Sequence, residues 1–465
     1  MFRVAAASVE PILSAPARPP RRIQPHPAQG PHAPGFSIVL PGHARNKGRM
    51  SAPAYPDLLR SFARIGLLSF GGPAAQISVM HDELVTRRGW LREEQFLGAL
   101  SFCMLLPGPE AMQLATYAGW RLRGVAGGLM AGLLFVLPGA AVIMALGLGY
   151  ALWGGVPLVQ AVFLGVKAAV VAIVVQALMR LARKALAGPA HWCVAGLAFV
   201  AMFALSVPFP AIIAAAALWG AWHARGAAAA PAPAALTVRP ADTLRTALVW
   251  GTLWAAPIVI AWAMGATFLT DLALFFSKLA VVTFGGAYAV LAYMTDTVVG
   301  TKGWLTTPQM IDALGLAETT PGPLILVTQF VGLLAGYFQG GVGLAVTAAA
   351  LTLWVTFVPC FLWIFTGAPY VEHILAKPRL KGALSGISAA VVGVILNLSV
   401  WFALHVVFDE VRAGAFVPLP VWSSFSWLGA GFTALSAALL LGARFPMGRV
   451  LGLMAGLAGA WHLVL

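Results

Sequence analysis

This sequence has little charge. Asp, Glu, Lys and Arg make up 9% of its 465 residues, against about 25% in soluble globular domains, and a soluble fold of this length is thereby excluded. Cysteine is scarcer still. Cys103, Cys193 and Cys360 stand alone without a CxxC pair, and the nine His include no two at ligand spacing. Structural disulfides, a metal site and a dithiol redox centre therefore all lack residues. No HExxH and no phosphate-cradling loop occur either, which leaves an enzyme, a metal or an organic cofactor without a foothold. Acidic residues number 15 against 29 Lys and Arg, for a formal charge of +14. That excess does not point to nucleic acid, because the basic residues sit in short clusters between apolar runs, as cytoplasmic loops do under the positive-inside rule.

What is present is apolar surface. Hydrophobic residues make up 60% of the chain and the mean hydropathy is +0.87, so the chain reads as an all-α polytopic membrane protein whose main partner is the lipid bilayer. The 50 Gly and 16 Trp fit that class, since small residues let membrane helices approach and Trp favours the interfaces. Residues 1–50 differ in kind. Arg18-Pro19-Pro20-Arg21-Arg22, Pro25, Pro27, Pro31 and Pro34 make a basic, Pro-rich tail that cannot bury enough apolar surface to fold. It has no apolar run of about 7 to 15 residues, so it is no signal peptide. Membrane-like sequence starts only after Met50-Ser51-Ala52, and Met50 is the expected start.

Apolar runs of ~20 residues fall at 57–80, 94–120, 125–152, 158–181, 192–207 and 208–222, then at 246–264, 272–294, 309–337, 342–365, 384–405, 427–441 and 450–465. The expected organisation is a first repeat over 51–222, an Ala/Pro-rich linker over 223–243 and a second repeat over 244–465 with one extra leading span. Ser69-Phe70-Gly71-Gly72-Pro73 and Leu106-Pro107-Gly108-Pro109 return as Thr283-Phe284-Gly285-Gly286 and Thr320-Pro321-Gly322-Pro323, at a constant offset of 214. Between these anchors Gly89-Trp90-Leu91 pairs with Gly303-Trp304-Leu305. Further on Pro138 pairs with Pro359 at an offset of 221, which predicts a seven-residue insertion. The unmatched span makes the crossings odd, about 13 in all, so the second half is inverted relative to the first.

Basic flanks support the inversion. They follow the span 158–181 (Arg180, Arg183, Lys184) and precede its partner 384–405 (Lys377, Arg379, Lys381). The same side, cytoplasmic by the positive-inside rule, is expected to hold the N-terminus, Arg60, Arg64, Arg121, Arg123, Arg225, Arg239, Arg245, Lys302, Arg444 and Arg449. Arg87, Arg88 and Arg92 dissent, falling outside if the first motif segment spans; either that segment is re-entrant or the loop is an exception.

Paired Gly and Pro breaks inside apolar runs predict broken helices whose freed backbone groups line a protein-filled or watery site. Pro109 and Pro323 suit the first turn of a new helix, whose free N–H groups and positive dipole end favour an anion. The candidate binding residues are therefore Ser69, Phe70, Gly71, Gly72, Pro107, Gly108, Pro109, Gln113, Thr283, Phe284, Gly285, Gly286, Thr320, Pro321, Gly322 and Pro323. Intramembrane cations join them, since such charges are costly and usually functional: Lys167, in the middle of an apolar span, and the symmetric Arg64 and Lys278. The bland alternatives are that Arg64 and Lys278 snorkel to an interface and that Lys167 pairs with an acid. Glu110 and Glu318 are the acids nearest the breaks. Gln329 and Asn397 add neutral hydrogen bonding, Asn397 more simply as helix glue.

The duplicated Ser/Thr-Phe-Gly-Gly, the Gly-Trp-Leu loop, and Leu-Pro-Gly-Pro against Thr-Pro-Gly-Pro together resemble the chromate ion transporter family in its long, two-domain form. The likeness runs from about Asp57 to the C-terminus. It implies a bacterial inner-membrane protein that exports chromate and confers chromate resistance, with sulfate as the chemically similar competitor. Protons as coupling ion, carried by Glu110 or Glu318, and a homodimer are further expectations. A channel and an intramembrane enzyme are the alternatives from other classes.

Overall fold

In hydrocarbon a backbone satisfies its polar groups locally only as helix, and the computed structural model of the protein is accordingly built of helices. It describes residues 53–70, 72–226, 239–284, 287–375, 377–414 and 417–464. The expectations for residues 1–50, the Met50 start and most of the linker lie outside these. In chain order the helices are α1 (Tyr55–Leu68), α2 (Pro73–His81), α3 (Glu93–Cys103), α4 (Glu110–Trp153), α5 (Pro157–Ala185), α6 (Pro189–Phe203), α7 (Phe209–His223) and α8 (Pro240–Ala263). There follow α9 (Thr267–Val282), α10 (Ala287–Thr295), α11 (Thr307–Thr319), α12 (Val327–Gly367), α13 (Val371–Leu375), α14 (Pro378–Val407), α15 (Trp427–Ala437) and α16 (Met447–Val464). Among the described residues, six helical segments can cross a bilayer by length and composition: α4, α5, α8, Leu324–Tyr370 containing α12, α14 and α16. The protein is an all-α polytopic membrane protein, with one small hairpin, Val411–Ala413 against Pro418–Pro420, that no apolar run announced.

The repeat is visible in backbone geometry. Gly89 and Gly303 both take φ +60°, Gly108 and Gly322 take +112° and +89°, and a π-helical turn follows α2 and α10 alike, at Asp82–Arg87 and Asp296–Thr301. Both long helices are interrupted near their starts, α4 at Arg123-Gly124 and α12 at Gly340-Gly341. Gly124 and Gly341 are 217 apart, so the predicted seven-residue insertion enters in two steps. Three residues match the 3-10 turn Leu324–Leu326 that precedes α12. The other four add about one turn to a helix of 3.6 residues per turn, which keeps its buried face in register.

The broken segments fold back. Were α1 and α2 one continuous rod, Arg64 and Glu83 would stand about 28 Å apart; instead Arg64 lies 3.8 Å from Glu83, and Ser61 Oγ donates to Glu83 at 3.1 Å. The chain thus enters to the depth of Ser69 and returns to the face it came from. The next pair, α3 and the first arm of α4, does the same. The Phe102 and Tyr117 rings are 6.2 Å apart, and Arg123 at the far end of that arm donates to Pro53 O at 2.7 Å and covers the Tyr55 ring. Only then does the second arm of α4 cross. In the second half Lys302 Nζ reaches Asp271 at 2.9 Å across the break between α9 and α10, and the fold-back is repeated from the opposite face.

This geometry decides the alternative that Arg87, Arg88 and Arg92 left open: the first motif segment is re-entrant, and these arginines share the face of Arg60 and Arg123. It also takes the four motif runs out of the expected crossings, which leaves their number odd, and it corrects one placement. Lys302, expected beside them, lies at the other face, because its hairpin enters from there. The unmatched α8 makes the inversion, running antiparallel to the second arm of α12; Trp354 Nε1 donates to Leu253 O at 2.8 Å and the Thr243 and Tyr370 hydroxyls are 2.7 Å apart.

Candidate functional site

Each first motif begins by stopping a helix. Ser69 Oγ donates to Ile65 O, and Thr283 Oγ1 to Leu279 O, both at 2.6 Å, so a hydroxyl occupies a carbonyl of the last turn and leaves its own residue's carbonyl free. That carbonyl is claimed from the other half. Gly322 N–H donates to Ser69 O at 2.8 Å, and Gly108 N–H donates to Thr283 O at 2.8 Å. Glycine is needed at both donors because their positive φ is open to little else. The two motif types are therefore cross-bonded between halves, the Pro-Gly-Pro of each to the Ser/Thr-Phe-Gly-Gly of the other.

Side-chain amides hold three further carbonyls. Gln113 Nε2 donates to Pro107 O at 2.6 Å, Gln76 Nε2 to Gly322 O at 2.7 Å and Gln329 Nε2 to Ala140 O at 3.1 Å. Pro321 O presses on Gly139 of α4, where a β-carbon would overlap it. Around the cross-bonds four helical runs begin, at Pro73, Glu110, Ala287 and Leu324, each presenting N–H groups without an intrahelical acceptor. The structure thus brings together Ser69, Gly72, Pro107, Gly108, Pro109, Gln113, Thr283, Thr320, Pro321, Gly322 and Pro323. Gly71, Gly285 and Gly286 lie outside the described residues.

Glu318, Phe70 and Thr319 line a cavity of about 450 Å³ together with Met447 and Leu451 of α16. Tyr288 O–H donates to Glu318 Oε1 at 2.8 Å. Phe284 is half-buried, and Glu110 is half-buried at the first residue of α4.

The three cations go elsewhere. Lys167 Nζ lies 3.2 Å from Asp312 Oδ1, and Asp312 Oδ2 accepts from Tyr150 O–H at 2.7 Å, which ties α4 and α5 of the first half to α11 of the second. Arg64 turns to Glu83, which is 4% exposed and also accepts from Arg88 Nε at 3.1 Å. Lys278 and Asn397 line a separate cavity of about 660 Å³. Sequence reasoning missed Asp312, Glu83 and Gln76. Asp312 carried a usable signal, as an acid inside one apolar run that could answer the base inside another; Glu83 is one of several charges in its loop and carried none.

The chromate transporter family model matches residues 56–221 and 270–460, so both halves fit it and α8 lies between the two matches. The chain belongs to the chromate transporter family. Within the family it is 30% identical over 406 residues to the chromate transport protein of Cupriavidus metallidurans, covering 85% of this chain and 95% of that one. It is 35% identical over 352 residues to the chromate transport protein of Pseudomonas aeruginosa, covering 74% and 79%. An uncharacterized transporter of Methanocaldococcus jannaschii is 23% identical over 369 residues, covering 76% of this chain and 86% of that one. No solved structure matches this chain.

Proposed function

We propose that the protein is a secondary transporter that exports chromate across the bacterial inner membrane by alternating access, its N-terminus on the cytoplasmic side. The observation that carries this is the reciprocal pair of bonds Gly108 N–H to Thr283 O and Gly322 N–H to Ser69 O. Each is a single backbone bond between inverted halves, and the helix starts around them offer uncommitted N–H donors and positive dipole ends to a tetrahedral dianion. A rocking of one half against the other would break and remake these two bonds together with the Gln76–Gly322 and Gln329–Ala140 bonds beside them. Basic residues gathered on the face of Arg60, Arg87, Arg88, Arg92 and Arg123 favour that face as cytoplasmic.

Glu318, buried against Tyr288 beside the second Pro-Gly-Pro, is the better placed of the two acids to carry a coupling proton; Glu110 is the other. The test is uptake of labelled chromate into proteoliposomes, with sulfate, molybdate and phosphate as competitors. Saturable uptake stimulated by a pH gradient, with chromate the strongest competitor, is expected. Stronger competition by sulfate would make the protein a carrier of another oxyanion, non-saturable flux a channel, and chemically altered chromate an enzyme.

A further inference from the structure

The two halves carry different charges at their mouths. In the first, Arg64 and Arg88 converge on Glu83 at 3.8 and 3.1 Å, and Arg87 meets Asp82 at 2.7 Å. At the offset of 214 the equivalents of Arg64, Arg88 and Asp82 are Lys278, Lys302 and Asp296, but Thr297 replaces Glu83 and Thr301 replaces Arg87. Lys302 finds its acid in Asp271 at 2.9 Å. Lys278 forms no ion pair among the described residues; its ammonium stands 5.8 Å from the centre of the Tyr293 ring. It is exposed into the cavity of about 660 Å³, whose wall also carries Asn397, Thr297, Thr301, Asp296 and the Lys302–Asp271 pair, so that Lys278 is the cation on this wall not held by an acid among the described residues.

We propose that this cavity is a transit subsite for the transported oxyanion, in which Lys278 supplies the charge and Asn397 and the neighbouring hydroxyls supply donors. The inference rests on the oxyanion-transport reading above and adds to it a second station, apart from the crossed breaks. Its cause is the exchange of Glu83 for Thr297. A carboxylate at 297 would hold the cation as Glu83 holds Arg64, and an arriving anion would have to displace it. Lysine suits a passing station, being a compact, strongly hydrated point charge without the bidentate fork that retains an oxyanion on arginine. Asp296 on the same wall opposes a second negative charge, which limits the subsite to one anion.

Thr297→Glu rebuilds the first half's arrangement in the second. In proteoliposomes taking up labelled chromate it should raise KM about tenfold at little-changed Vmax, the loss expected of one charge-assisted contact. Lys278→Gln should do the same, whereas Lys278→Arg, which keeps the charge, should not raise KM more than about threefold and should lower Vmax as the fork retains the anion. An unmoved KM in Lys278→Gln overturns the proposal, whether or not Thr297→Glu folds. An equal loss in Lys278→Arg and Lys278→Gln also overturns it, because the requirement would then be for shape and not for charge. Uptake by the parent protein with unmoved KM in the variants sinks only this subsite, whereas a parent protein that carries no oxyanion sinks the transport reading with it.

Discussion

Lys167 takes the plainer of the two roles its position in an apolar span allows, a pair with an acid. An ammonium in an apolar span must find a counter-charge, and Asp312 provides it from the other half at 3.2 Å. Removing one member of a buried pair strands the other at a cost of about 3–5 kcal/mol, whereas replacing both is often nearly neutral. Lys167→Met should therefore lower the melting temperature of the purified protein sharply, and Lys167→Met with Asp312→Leu should restore most of it. Transport is expected to recover in the double variant, since the lysine's charge is spent on Asp312; a stable double variant that transports nothing would return Lys167 to the anion site. For Glu318 the expected result concerns coupling. Glu318→Gln keeps an oxygen for the Tyr288 hydroxyl but cannot carry a proton, so chromate exchange should persist while stimulation by an imposed pH gradient disappears; stimulation equal to the parent's would exclude Glu318 as carrier.

Among the elements, the breaks were legible and their direction was not. Gly-Gly-Pro and Pro-Gly-Pro interrupt helices for local reasons, by lost backbone donors and by φ values only glycine adopts freely, so their positions could be read from the chain. Whether a broken helix continues or returns depends on what the far arm packs against, here Glu83 against Ser61 and Arg64, a contact between residues about 20 positions apart. Close packing at the breaks gives a direct test. Gly139→Ala drives a methyl into Pro321 O and should cost about 1–3 kcal/mol together with most of the transport. Gly343→Ala, in open space in α12, should be neutral or stabilising by up to about 1 kcal/mol. Equal behaviour of the two variants in a thermal-shift and uptake assay would show that the approach of Pro321 to Gly139 is not needed.

For the whole molecule, re-entrant hairpins in place of crossings change which loops share a face. With the exposed Cys193 replaced by Ser, leaving only the buried Cys103 and Cys360, single cysteines at Arg60, Arg88 and Lys302 report the topology through a membrane-impermeant maleimide. Cysteines at 60 and 88 should be labelled from one side and that at 302 from the other. Labelling of 88 and 60 from opposite sides would mean that α1 and α2 cross.

The amino-acid sequence by itself determined the class, the duplication and the inversion. These rest on quantities that do not depend on folding: total apolar content, a constant offset between glycine and proline motifs, and an odd number of segments caused by α8. Tertiary structure alone decided that the motifs of opposite halves bond to each other, that Lys167, Arg64 and Lys278 answer to different neighbours, and that the dissenting arginines share a face with the rest. The reason is that a hydrogen bond such as Gly322 N–H to Ser69 O, or an ion pair such as Lys167 with Asp312, joins residues with no local relation in the chain. Only the packing of one inverted half against the other selects their partners.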